Sequence, residues 1–271
     1  MLSFIPTPIG NLEDISQRSL RLLASATLLF CEDTRETKRL LALLVQRYGM
    51  ESSPKTFISL HSHNETEVLK TLDPALLTQP CCYVSDAGMP AISDPGAALV
   101  KFCQDHSIGY EIIPGANAAL LAYAASGFEE TAFSFFGFLP HKGREREIAL
   151  DKLLAHGLNV VLYESPHRIE KLMEELVQKA PQRPLFVIKE ATKKHEKMFK
   201  GSALHVSTLM QEANLKGEWA LVIQAVPSEA ATTPLVVQDI LTLSLPPKEK
   251  AKLLAKMTGE SVKVWYQRLQ A

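Results

Sequence analysis

A short apolar run, Cys81-Cys82-Tyr83-Val84, leads into Ser85-Asp86-Ala87-Gly88 and, after further small residues, into Asp94-Pro95-Gly96. The run reads as a buried strand. Aspartate before proline predicts a helix start at Asp94, because a carboxylate caps free N–H groups and proline fits the first helical turn. A strand, a loop of small and acidic residues and a helix N-terminus, in that order, form a ligand-binding edge of an open α/β sheet.

The rest of the chain repeats the pattern. Strand-like runs occur at Leu2–Pro6, Leu28–Asp33, Phe57–Leu60, Cys81–Asp86 and Glu111–Pro114, separated by helical spacing such as Leu40, Leu43, Leu44 and Arg47. Alternation of this kind implies a mostly parallel sheet, closing near Pro114-Gly115. After Ser126-Gly127 come the aromatic run Phe133–Leu139 and a charged helix from Lys142 to Leu154. Strands at Asn159–Glu164, Leu185–Glu190 and Trp219–Val226, with helices over Arg168–Lys179 and Ala203–Ala213, predict a second sheet. The expected division is an α/β domain over 1–115, a second over 116–227, and a linker with a small basic helical segment over 228–271. Pro227 to Pro234 has linker composition.

Composition narrows the classes. With 46% hydrophobic and 22% charged residues, the 271-residue chain is that of a soluble globular protein. A net charge of −1 means that nucleic-acid binding requires a local patch. The cysteines, Cys31, Cys81, Cys82 and Cys103, lack CxxC spacing, and three fall in core strands, as expected of thiols in a cytoplasmic protein. No apolar run has the length of a membrane span. The tail from Pro246 carries Lys248, Lys250, Lys252, Lys256, Lys263 and Arg268 against Glu249 and Glu260, with helical spacing broken at Gly259. Leu253, Leu254, Met257, Val262, Trp265, Tyr266 and Leu269 are expected to face inward, and the lysines form either an RNA-facing patch or a solvated face.

Polar residues recur at the ends of the strands. Gly10 permits a tight turn after the first strand, where Asn11 caps, yet neither G-x-G-x-x-G nor G-x-x-x-x-G-K-[ST] occurs. Glu32-Asp33-Thr34-Arg35 either orients a ligand or forms a surface ion pair. His61 and His63 share a strand face without a third ligand at recognisable spacing, which leaves substrate contact or helix capping as the readings and no metal expected. In Tyr163-Glu164-Ser165-Pro166-His167-Arg168, Ser165 is the expected cap and Pro166 the first helical residue; Arg168 there is either phosphate-facing or structural. A serine hydrolase elbow, G-x-S-x-G, is missing.

Together these motifs are familiar. Pro8-Ile-Gly-Asn-Leu-Glu-Asp14, Glu32-Asp-Thr-Arg35, His61-x-His-Asn-Glu65, Ser85-Asp-Ala-Gly-x-Pro90, Ser93-Asp-Pro-Gly96, Glu164-Ser-Pro-His-Arg168, Thr192-Lys-x-His-Glu196 and Lys216-Gly-Glu218 stand in one order. In that order they resemble the bacterial 16S rRNA cytidine 2′-O-ribose methyltransferases, of the tetrapyrrole-methylase (class III methyltransferase) fold, over about Phe4 to Val226. The resemblance implies two α/β domains with a cleft between them, S-adenosylmethionine as methyl donor, a homodimer, and a cytidine of the decoding region as substrate, in 16S rRNA or the small ribosomal subunit. By position it implies donor contacts at Pro8, Gly10, Asp86, Ala87, Gly88, Ile92, Asn117, Ala118 and Tyr163. The chain departs from the pattern at Ala116-Asn117, where Pro followed by Ser or Cys is expected.

Transfer from a sulfonium is an in-line displacement that needs alignment more than a metal, and a nearby base or lysine would help the ribose hydroxyl. Glu32, His63, Glu65, Lys189, Glu190 and Lys193 are the candidates, and no spacing selects among them. Arg35, Arg168, Lys193, Lys248, Lys252 and Lys256 are expected to meet phosphates. Two rivals remain: a small-molecule methylase of the same fold, and a non-catalytic ribosome-binding protein.

Overall fold

A computed structural model describes residues 1–51, 53–211, 214–225 and 236–270; the linker expected at Pro227–Pro234 lies outside them. The chain forms two compact units, Met1–Ala225 and Val226–Ala271.

The larger unit begins with β1 (Leu2–Ile5), α1 (Gln17–Ser25), β2 (Leu28–Cys31), α2 (Thr34–Tyr48), β3 (Thr56–Ser59), α3 (Glu65–Thr71), β4 (Cys81–Val84), α4 (Ala97–Asp105) and β5 (Tyr110–Ile112). The five strands make one sheet in the order β3-β2-β4-β1-β5, parallel throughout. β1, β2 and β4 are buried at every position, as strands covered by helices on both faces must be, and this explains their unbroken apolar sequence. Because β1 and β4 are neighbours, the loops that follow them leave the same sheet edge side by side. Thr7 and Gly88 exchange both backbone hydrogen bonds at 3.0 Å, and the Thr7 hydroxyl donates to Ser85 O at 3.2 Å.

The unit continues with α5 (Ala118–Ser126), β6 (Phe133–Phe138), α6 (Gly143–Leu154), β7 (Asn159–Glu164), α7 (Ile169–Lys179), β8 (Pro184–Lys189), β9 (Lys197–Ser202), α8 (Ala203–Gln211) and β10 (Trp219–Ile223). Here the order is β6-β7-β10-β8-β9, with β6 and β7 parallel and the other pairs antiparallel. One face packs Leu150, Leu153, Leu172, Leu176 and Val206 from α6, α7 and α8. The other carries Ala119 and Ala122 of α5 against Val161, Phe186, Ile188 and Ala220.

Several expectations are corrected. α4 starts at Ala97 behind an N-cap at Gly96 with φ +123, and the Asp94 side chain is not its cap. The reason is a close approach: a Cβ on Gly96 would stand 2.9 Å from Cε1 of the Tyr83 ring. α7 starts at Ile169 behind Arg168 rather than at Pro166, with Ser165 contributing its carbonyl to the Arg168 and Ile169 N–H groups. The strand β9 has no counterpart among the sequence expectations. It is an edge strand whose Lys197 and Lys200 disguise it and also guard it against pairing with another chain.

The smaller unit holds α9 (Val237–Thr242), α10 (Pro247–Thr258) and α11 (Val262–Arg268). Gly259, left-handed at φ +76, ends α10 where the helical spacing breaks. The expected inward face is corrected: Leu254 is buried with Ala251 and Ile240, whereas Leu253, Met257, Val262 and Tyr266 are exposed. Helices of 12 and 7 residues bury one stripe and leave the second open. Among the described residues, no helix is long and apolar enough to cross a membrane.

Candidate active site

A cavity of about 380 Å³ opens between the two sheets, within the range of roughly 300–1,000 Å³ usual for small-molecule sites. Ile9, Ala87, Gly88, Ile92 and Asp94 line it from the loops after β1 and β4. Asn117 and Ala118 at the start of α5, Phe138 at the end of β6, Tyr163 to Pro166 at and after the end of β7, Ile188 and Ala191 around the end of β8, and Glu218 to Ala220 also line it, with Met89 and Ser93.

Of the expected donor contacts, Ala87, Gly88, Ile92, Asn117, Ala118 and Tyr163 therefore meet in one cavity. Asn117 is also the N-cap of α5, its Oδ1 accepting from Leu120 N at 3.0 Å, which gives the departure at that position a local purpose. Pro8, Gly10 and Asp86 do not line the cavity. Gly10 abuts the loop after β8 so closely that a Cβ would come within 2.4 Å of Lys193 Cγ and 2.8 Å of Ala191 O. Asp86 turns back along its own edge, accepting from Asp33 N at 3.1 Å. Partial desolvation raises its carboxyl pKa, opposed by that hydrogen bond.

The candidates for proton chemistry are dispersed. Glu32 is half-buried at the end of β2, its pKa raised by desolvation and by the Asp86 charge. His63 is exposed in the turn before α3. Glu65 accepts from Gly96 N at 3.0 Å, so it anchors the start of α4. Lys189 is buried, donates to Asn214 O and lies 5.8 Å from the Trp219 ring. Glu190 and Lys193 form a cluster with Glu218: Lys193 Nζ is 2.9 Å from Glu190 Oε1 and 2.8 Å from Glu218 Oε2. Burial alone would lower the Lys193 pKa, but the two carboxylates carry it upward, so this lysine stays charged. Burial likewise opposes ionisation of Glu190, yet the Glu218 N–H and Lys193 hold its pKa low. Glu190 and Thr192 both have left-handed backbones, φ +52 and +65, a strain that concentrates at functional sites.

Of the expected phosphate contacts, Arg35 forks onto Asp33 at 2.6 and 3.1 Å on the surface. Arg168 is used internally, bonded to Glu164 Oε1 at 2.7 Å, Leu139 O at 3.2 Å and Ser165 Oγ at 3.3 Å. Glu164 is also bonded by Arg146, buried to 2% exposure, which reaches Glu175 at 2.9 Å. In the smaller unit Lys252 pairs with Glu249 at 2.8 Å, and Lys248 and Lys256 are exposed. Among the described residues, no group of three or more His, Cys, Asp or Glu is placed to hold a metal ion.

Sequence reasoning missed Asp94, Glu218 and Trp219 as cavity residues. Glu218 stands in a recognisable motif, Asp94 reads as a cap, and Trp219 is simply the start of a strand.

Comparison with known proteins agrees with this architecture. The family model of the tetrapyrrole (corrin/porphyrin) methylases matches residues 1–206. A Campylobacter fetus protein named ribosomal RNA small subunit methyltransferase I is 50% identical over 99% of both chains. Proteins of the same name from Helicobacter pylori and Neisseria meningitidis are 40% and 34% identical, covering 99% and 98% of this chain and 97% and 91% of theirs. Among solved structures, cobalt precorrin-4 methyltransferase is similar with a TM-score of 0.58 at 19% identity, over 82% of this chain and 94% of that one. Uroporphyrin-III C-methyl transferase from Thermus thermophilus, complexed with S-adenosyl homocysteine, is similar with a TM-score of 0.55 at 17% identity, over 82% and 96%. The chain belongs to the tetrapyrrole (corrin/porphyrin) methylase family, in the branch formed by the small-subunit rRNA methyltransferase I proteins.

Proposed function

We propose that this protein is an S-adenosylmethionine-dependent methyltransferase that methylates the ribose 2′-hydroxyl of a cytidine in the decoding region of 16S rRNA. In this reading it works in the cytoplasm as a homodimer, with rRNA or the small ribosomal subunit as partner. The observation that carries the reading is full-length similarity, 50% identical over 99% of both chains, to a protein named ribosomal RNA small subunit methyltransferase I.

The cavity suits the donor. Ala87, Gly88, Ala118, Ala191 and Ala220 leave room for a nucleoside and expose backbone to it, while Ile9, Ile92, Ile188 and Trp219 offer apolar contact. When bound, the donor supplies an electrophilic methyl group on a sulfonium, so the protein's task is alignment. The donor-side positions are Ala87, Gly88, Ile92, Asn117, Ala118 and Tyr163, with Pro8, Gly10 and Asp86 shaping their loops. Lys193 uses two N–H groups on Glu190 and Glu218, which leaves a third for an RNA phosphate. Lys248, Lys252, Lys256 and Arg35 extend that grip, and Arg168 acts indirectly by holding Glu164.

Calorimetry with S-adenosylmethionine, followed by transfer assays on small-subunit rRNA and on tetrapyrrole precursors, tests the proposal. Donor binding with methylation of rRNA supports it. Donor binding with methylation of a tetrapyrrole alone overturns the substrate assignment.

A further inference from the structure

The cavity contains four side chains able to exchange a proton: Asp94, Tyr163, Glu164 and Glu218. Three are committed elsewhere. Glu164 is fully buried and holds Arg146, Arg168 and the Ser165 N–H. Glu218 holds Lys193. Burial pushes the Tyr163 hydroxyl up to about 12. Asp94 differs: the Ser85 hydroxyl, which donates to Gly88 O at 3.1 Å, stands close enough to favour its charged form. Among the described residues, no lysine or arginine pairs with Asp94.

A second observation comes from beneath it. The Tyr83 side chain is wholly buried, yet its hydroxyl has no hydrogen-bond partner. Glu32, Asp94 and Glu65 are the carboxylates acting on that hydroxyl. An unpartnered buried hydroxyl is costly, and of the three carboxylates acting on it Asp94 lines the cavity.

We propose that Asp94 is the catalytic residue that accepts the ribose 2′-hydroxyl proton, an assignment that rests on the function proposed above. As the ribose oxygen forms its bond to the methyl carbon, the carbon–sulfur bond breaks, and that bonding pair stays on sulfur. S-adenosylhomocysteine leaves as a neutral thioether. The hydroxyl proton passes to Asp94 Oδ, and the resulting carboxylic acid returns it to water. Glu32, His63, Glu65, Lys189, Glu190 and Lys193 do not line the cavity, which leaves Asp94 the better placed acceptor.

The surroundings tune the group for this work. Burial first, then the charges of Glu32 and Asp86, push the Asp94 carboxyl up to about 6, closer to working pH, where a general base is most effective. Glu218 faces it from the second sheet and adds in the same direction. Tyr83 and Tyr163, the other titratable neighbours, remain protonated throughout the neutral range.

The test compares wild type, Asp94→Asn and Asp94→Glu by single-turnover methyl transfer to small-subunit rRNA from pH 5 to 9. Donor affinity by calorimetry and carbon-13 titration of the aspartate carboxyls supply readouts independent of turnover. Asp94→Asn is expected to lose about 10²–10⁴-fold in rate, to keep donor affinity within about threefold, and to lack the acid limb and the carboxyl titration near 6 expected of wild type. Asp94→Glu should recover part of the rate. An Asp94→Asn enzyme within about threefold of wild type, or one retaining the acid limb, overturns the assignment alone. Failure of wild type to methylate a ribose overturns the parent reading and this assignment with it.

Discussion

The Asn11 backbone N–H donates to the Thr192 hydroxyl across 3.1 Å, tying the loop after β1 directly to the loop after β8. Ile9 and Ala191, neighbours of these two residues, both line the cavity. The contact depends on Gly10, where a Cβ would press to 2.4 Å from Lys193 Cγ and 2.7 Å from Thr192 Oγ1. Gly10→Ala is therefore expected to push the loops apart and weaken donor binding about tenfold, or ~1.4 kcal/mol. Calorimetry on the variant checks this, and an unchanged affinity contradicts it.

Arg146 should be the costliest surface-remote charge to remove. It is 2% exposed and bonds Glu164, itself fully buried, and Glu175. Breaking a buried pair costs about 3–5 kcal/mol where the remaining charge is left alone; here Arg168 still holds Glu164 at 2.7 Å, so the loss should fall toward the low end of that range. Arg146→Ala should lower the urea midpoint sharply, whereas Arg35→Ala, whose partner Asp33 lies at the surface, should leave it almost unmoved. Equal effects from the two would contradict this account.

Asp94 makes a prediction about stability with a definite sign. Its folded-state pKa, about 6, lies above its ordinary 3.8, so the folded chain binds this proton more tightly than the unfolded chain does. The stabilisation is complete below the ordinary value and is lost as pH rises through the folded one. Asp94→Asn, free of the ionisation, should melt higher than wild type at pH 8, with the gap shrinking through pH 6 and closing near pH 4. Melting curves across that range check it; a gap that widens toward acid contradicts it.

The tail lysines give an electrostatic prediction. Replacing Lys248, Lys252 and Lys256 with glutamate should weaken binding to small subunits and lower the salt slope by roughly 0.7–0.9 for each phosphate that is no longer neutralised. Donor affinity should not change. Filter binding at several salt concentrations reads both, and a constant slope would place the lysines away from RNA.

Much of this organisation is legible in the sequence, for identifiable reasons. β7 is readable at Asn159–Glu164 because a continuous apolar run ends there in a polar turn, as a buried strand should. The small-residue loops around Ala87, Gly88 and Asn117 are readable at their strand ends, while the place of these three residues in the cavity is expected from the resemblance alone. β9 is hidden by its edge lysines. Asp94 looks like a cap because Asp-Pro usually caps, whereas the close approach of Gly96 to the Tyr83 ring moves the helix start. Trp219 and Ala220 enter the cavity wall with Ile188 through strand pairing, Ala220 opposite Ile188. That register joins residues far apart in sequence, and no local pattern announces it. The outward turn of Leu253 and Met257 likewise depends on how little the short tail helices can cover.

The most direct test of the central claim is transfer of labelled methyl from S-adenosylmethionine to small ribosomal subunits lacking their modifications, with the product digested to nucleosides and weighed. A 2′-O-methylated cytidine from the decoding region is the predicted result. Label on a base, or none on RNA despite measurable donor binding, would contradict it.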